Sequence, residues 1–99
     1  MSVRHLTNKN WIREHLSRAL TDRPCEVTVL GGERNIVRGR WPLIEGAELA
    51  EGTRVHVRYE TSGRACGFFT LVSACKGETV LLDEPEELTV VTMARRMAA

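Results

Sequence analysis

The segment "RVHVRY", residues 54–59, alternates without a break. Val55, Val57 and Tyr59 fall on one side of an extended chain, Arg54, His56 and Arg58 on the other. Successive side chains of a strand point to opposite faces, so this pattern describes a strand with one face on a core. It belongs to a series. "CEVTVL" (25–30) alternates and runs into Gly31-Gly32, a hairpin signal. "RNIVRGRW" (34–41) resumes the pattern, with Gly39 the expected place of a bulge. "RACGFFTLVSA" (64–74), entered from the turn "ETSG", is the longest strand. "KGE" leads into "TVLL" (79–82), and Pro85 separates that from "LTVV" (88–91). "PLIEGAELAEGT", with Pro42, Gly46 and Gly52, reads as a connection carrying an apolar plug at Leu43 and Ile44.

One amphipathic helix precedes the strands. In "NWIREHLSRALTDRP", Trp11, Ile12, His15, Leu16, Ala19 and Leu20 recur at helical spacing on one face. Arg13, Glu14, Ser17 and Arg18 fall largely on the other. Asn10 is the expected N-cap, and Pro24 stops the helix. Residues 1–9 are polar and predict a flexible arm; residues 93–99 predict a basic tail. A chain of 99 residues supports one core. The sequence therefore predicts a mainly β domain over residues 10–92, a small six-stranded antiparallel split barrel, with the helix covering one open end.

Composition narrows the function. The chain is 42% hydrophobic and 27% charged, with a formal charge of +1 and a pI near 7.8, which argues against a nucleic-acid binder held by a broad basic surface. No apolar run approaches the roughly 20 residues of a membrane helix, and "MSVRHLTNKN" lacks the apolar stretch of a secretory signal. Cys25, Cys66 and Cys75 are odd in number and show no CxxC spacing, which predicts a reducing, cytoplasmic compartment. With His5, His15 and His56 they match no zinc template and read as packing thiols, so neither metal nor cofactor is expected. Asp83, Glu84, Glu86 and Glu87 bracket Pro85 as a solvated turn rather than a cation site. There is no GxSxG, Walker loop, GxGxxG or HExxH. A thiol enzyme would have to pair Cys66 or Cys75 with His56. The residues favour a binding module over an enzyme.

The candidate binding residues are arginines. Arg38 and Arg40 leave one side of residues 34–41, and Arg54 and Arg58 one side of residues 54–59. If those strands pair, four guanidiniums share a surface suited to an anion, a nucleotide or an acidic protein. The plain alternative is the solvent face of a half-buried sheet. Arg95 and Arg96 grip a phosphate, lead into a further domain, or form a solvated tail.

As an ordered set these segments resemble a known family. Gly52, Val55, Val57 and Tyr59, then Phe69 and Val72, then Leu82, Pro85 and Leu88, and finally Arg95-Arg96 look like the N-terminal domain of bacterial flagellar-brake proteins, which carry it ahead of a PilZ domain. The resemblance covers residues 12–96 and consists of strand and turn positions. It implies a split β-barrel without catalysis, acting by protein contact in cyclic di-GMP control of motility or exopolysaccharide output. The implied partner is another protein, a PilZ-domain or motility component. In that family an RxxxR segment and a D/NxSxxG motif hold the nucleotide. Here Ala99 stands four residues after Arg95 and no D/NxSxxG occurs, so this chain alone is not expected to bind cyclic di-GMP in the PilZ manner. A helix followed by about five strands is also the Sm-like plan, in which the arginine face would bind RNA phosphates.

Overall fold

A single antiparallel sheet closes on itself because its longest strand serves several neighbours. The computed structural model describes residues 2–21, 24–29, 32, 34–46, 48–61 and 63–92. In chain order its elements are β1 (Ser2–Leu6), α1 (Lys9–Ala19), β2 (Cys25–Val29), β3 (Arg34–Arg40), β4 (Leu43–Glu45), β5 (Arg54–Thr61), β6 (Arg64–Lys76), β7 (Thr79–Leu82) and β8 (Leu88–Thr92). One edge of β6 pairs with β5 from Arg64 to Leu71. Its other edge pairs first with β8, through Arg64–Gly67, and then with β7, from Val72 to Lys76. A register shift between Val72 and Ala74 marks an irregularity that bends the strand. The circuit β6–β5–β2–β3–β4–β7 is a closed six-stranded antiparallel barrel, and β8 with β1 extends from β6 as a flap.

The barrel is the one expected, with a different membership. β4 takes the place assigned to residues 88–91, because Ile44 enters the core and aligns with Val80 on β7. Of the expected apolar plug, Ile44 is buried while Leu43 stays 46% exposed, and Leu49 in the same connection is buried as well. Residues 2–6, expected in a flexible arm, form β1, paired residue for residue with β8 from Ser2↔Thr92 to Leu6↔Leu88. Gly39 marks no bulge. It aligns with Ile44, and a side chain there would meet the Leu43 carbonyl oxygen at 2.3 Å and the Ile44 Cα at 2.8 Å. The residue is glycine because two backbones touch.

Barrel strands alternate in direction, so the C-terminal ends of β3, β5 and β7 share one rim. Helix α1 lies across that rim. The Leu20 carbonyl accepts the Trp41 N–H just past β3 at 3.2 Å. His15 meets the Tyr59 hydroxyl on β5 at 2.9 Å. Beyond β7, Arg13 forks both oxygens of Glu84. Asn8, not Asn10, caps the helix, its side chain accepting the Trp11 N–H at 3.0 Å. Ile12, Leu16, Ala19 and Leu20 are buried in one cluster with Val27, Val55, Val57, Phe68, Val80 and Leu88. Trp41 sets its ring edge-on to Phe68 at 5.3 Å. Each such side chain removed from water stabilises the fold by about 1.5–3 kcal/mol. No helix among the described residues is long and apolar enough to cross a membrane.

Candidate functional site

The expected arginine face divides. β2 lies between β3 and β5. Glu26 on β2 aligns with Arg58 on one side and Ile36 on the other. Arg54 is four residues from Arg58, and Arg40 four residues beyond Ile36 in the opposite sense. They are separated by on the order of 25 Å along the strands. Between them Glu26 lies 3.9 Å from Arg34, and Arg58 donates to Glu60 at 3.1 Å. Arg38 and Arg40 align with Glu45 and Leu43 on β4, and each has an interaction partner. All four leave the outer face of the sheet, but they are spread too widely for one small anion to meet them all. Arg95 and Arg96 lie outside the described residues.

Two other surfaces are assembled by the fold. The first is on the outside of β6. The sheet edge of β6 between its β8 and β7 partners is bordered by the connection 83–87, held there by the Asp83 N–H on the Leu71 carbonyl (3.0 Å) and the Thr70 hydroxyl on the Asp83 carbonyl (2.6 Å). Phe69 and Leu71 point outward beside this connection and are 64% and 40% exposed. They line a groove of about 630 Å³ whose far wall carries Asp83, Glu84, Glu86 and Glu87. Glu84 is held by Arg13, which keeps its carboxyl below the usual range, and Glu87 lies 2.9 Å from His5. Asp83 and Glu86 are exposed and turned to no cation among the described residues. On the near side the His56 ring packs 4.6 Å from Phe69, over Gly67, where a Cβ would come within 2.9 Å of it. Gly67 thus makes room for the ring that supports Phe69.

The second surface is a cleft of about 550 Å³ between the flap and α1. Trp11 and His15, one turn apart, stack with centroids 4.8 Å apart and planes 6° from parallel. Burial, with Arg18 and Arg64 nearby, pushes the His15 imidazole below its ordinary pKa. Facing the stack, Arg64 on β6 and Arg4 on β1 project from the same face, one strand and one stagger apart: Arg64 aligns with Thr92 and Arg4 with Val90 on the intervening β8. Among the described residues neither arginine has an ion-pair partner and no Asp or Glu lines the cleft. Trp11 was expected on the buried helix face. It is 41% exposed because the flap stands off from the start of α1 and leaves the ring in the cleft wall.

The thiols do not build an active site with His56. Cys66 aligns with Tyr59 on the inner face, whereas His56 aligns with Phe69 on the outer. Burial raises the Cys66 thiol and pushes Cys25 up to about 11, against the thiolate a nucleophile requires. Cys75, expected as a packing thiol, is exposed near the far end of β6. No group of three His, Cys, Asp or Glu among the described residues is placed to hold a metal ion. Comparison of the chain with known proteins finds no significant match to a family model, a curated protein or a solved structure. The fold and its surfaces define a small capped β-barrel with one apolar, acid-rimmed groove outside and one basic, aromatic cleft under the flap.

Proposed function

We propose that this chain is a non-catalytic regulatory or adaptor domain that works by protein contact through the Phe69–Leu71 groove. The observation that carries the reading is Phe69, a large apolar ring left 64% exposed on a barrel strand whose inward-facing Cys66, Phe68 and Val72 are buried. Exposing it costs hydrophobic stabilisation that a partner recovers. The acidic wall at Asp83 and Glu86 selects the partner's chemistry: a segment with one or two apolar anchors flanked by lysine or arginine. The resemblance to flagellar-brake N-terminal domains extends the reading to cyclic di-GMP signalling, with a PilZ-domain or motility protein supplying that segment. Contact on the outside of the barrel leaves the core and the helix cap undisturbed.

The test uses a fluorescent peptide alternating Leu and Lys, an acidic peptide of the same apolar content, and a purified PilZ-domain protein with and without cyclic di-GMP. The basic peptide is expected to bind the wild-type chain, to bind Phe69→Asp at least tenfold more weakly, and to outcompete the acidic peptide. Equal binding by wild type and Phe69→Asp, with both folded by circular dichroism, overturns the groove. Failure of the PilZ-domain protein to bind in either nucleotide state overturns the signalling context while leaving the groove to the peptide result.

A further inference from the structure

The basic cleft under the flap is independent of the protein-contact groove, since it opens on the inner face of the β6–β8–β1 sheet while Phe69 is on the outer face. From its geometry we infer that it is a binding site for a mononucleotide, the base stacking on Trp11 and the phosphate held by Arg4 and Arg64. Three features carry this. The first is an aromatic platform that is already rigid. Trp11 is backed by the His15 ring at 4.8 Å, and the Tyr59 hydroxyl, itself buried, fixes His15 at 2.9 Å. A ring braced in this way loses little freedom on stacking against a second planar system.

The second feature is charge. Arg4 and Arg64 leave one face of the β6–β8–β1 sheet with β8 between them and a two-residue stagger, which sets their Cα atoms about 12 Å apart. Extended guanidiniums from that separation converge on a single anion. Because, among the described residues, no carboxylate lines the cleft and neither arginine is paired, both are available to a ligand's phosphate. Thr61 and Thr92, at the same end, add hydroxyls within the lining for a sugar or phosphate oxygen. The third feature is size. About 550 Å³ suits a single nucleotide and lies within the usual range for small-molecule sites. An inorganic anion would use the arginines and leave the platform empty; an uncharged aromatic would do the reverse.

Trp11 reports on the site directly, because the chain's other tryptophan, Trp41, is buried in the core. Fluorescence and calorimetric titrations with AMP, GMP, CMP and UMP, with the free nucleosides and with inorganic phosphate, test the assignment. At least one nucleotide is expected to quench Trp11 saturably and to bind at least tenfold more tightly than its nucleoside or phosphate alone. Arg4→Ala and Arg64→Ala are each expected to weaken it by about tenfold or more, as loss of a hydrogen bond to a charged group does. Both arginines are exposed, so these variants fold, which circular dichroism checks; Trp11→Leu, followed by calorimetry, is expected to reduce nucleotide affinity to that of phosphate. No saturable binding by any nucleotide up to about 10 mM, binding unchanged in both arginine variants, or phosphate bound as tightly as the nucleotide each overturns the proposal. A short single-stranded RNA that binds where no mononucleotide does also overturns it, in favour of a nucleic-acid surface.

Discussion

Replacing Leu16 by alanine tests whether α1 is the lid of the barrel or an appendage. Leu16 is fully buried, in the same cluster as Val57 and Phe68 from the barrel interior. The substitution removes three carbons, worth about 0.8 kcal/mol each in transfer from water, or roughly 2.4 kcal/mol. If about half of the ~75 Å³ vacated remains as a cavity, the cavity term adds about 1 kcal/mol. The expected loss is about 3–4 kcal/mol, a quarter or more of the stability of a typical domain. For a chain of this length it lowers Tm by roughly 15–25 °C. Urea unfolding followed by far-ultraviolet circular dichroism measures it, with Ser17→Ala, on the exposed helix face, as a control expected to change stability by less than about 0.5 kcal/mol. A Leu16→Ala loss below about 1 kcal/mol would show that the helix does not seal the rim.

Further expectations concern single residues. Gly39→Ala drives a methyl into the β4 backbone and should cost about 1–3 kcal/mol in urea unfolding; a neutral result refutes the close approach seen there. The His15 imidazole has a folded pKa below the ordinary 6.5, chiefly from burial, so the unfolded state takes up a proton more readily. Its contribution to stability is complete above that value and is lost as pH falls through it. His15→Gln should flatten the decline of stability between neutral and mildly acidic pH, with the remainder belonging to His56, which burial shifts in the same direction; an unchanged profile refutes the assignment. A maleimide probe at neutral pH should label Cys75 alone in the native chain and all three cysteines in urea, since Cys25 and Cys66 are buried; native labelling of Cys66 would contradict its place behind Tyr59.

Much of this fold is written in alternation. Val55, Val57 and Tyr59 point inward as their spacing requires, and the strands at 25–29, 34–40, 64–76 and 79–82 are where period-two patterns put them. β1 leaves no such trace because most of its residues are exposed; it is held through its backbone to β8, and backbone pairing has no sequence pattern. β4 is three residues long, too short to show a period. The arginine face is wider than expected for a topological reason: nothing in residues 34–41 or 54–59 reveals that β2 runs between them. The outer groove was hidden by its own composition. In "CGFFTLV" both faces of β6 carry apolar side chains, so Phe68, buried, and Phe69, exposed, look alike in sequence. The signal that separates them is the register with β5, which sets Phe69 against outward-facing His56.

Binding at the outer face of β6 is read most directly by a heteronuclear NMR titration of the isotope-labelled chain with the Leu–Lys peptide. The largest amide shifts are expected at Phe69–Leu71, at the 83–87 connection, at His56 and at Arg54 across from Leu71, with the amides of Arg38 and Arg40 little changed. Shifts centred on β3 and β4, or none at saturating peptide, would contradict a binding role for the outer face of β6.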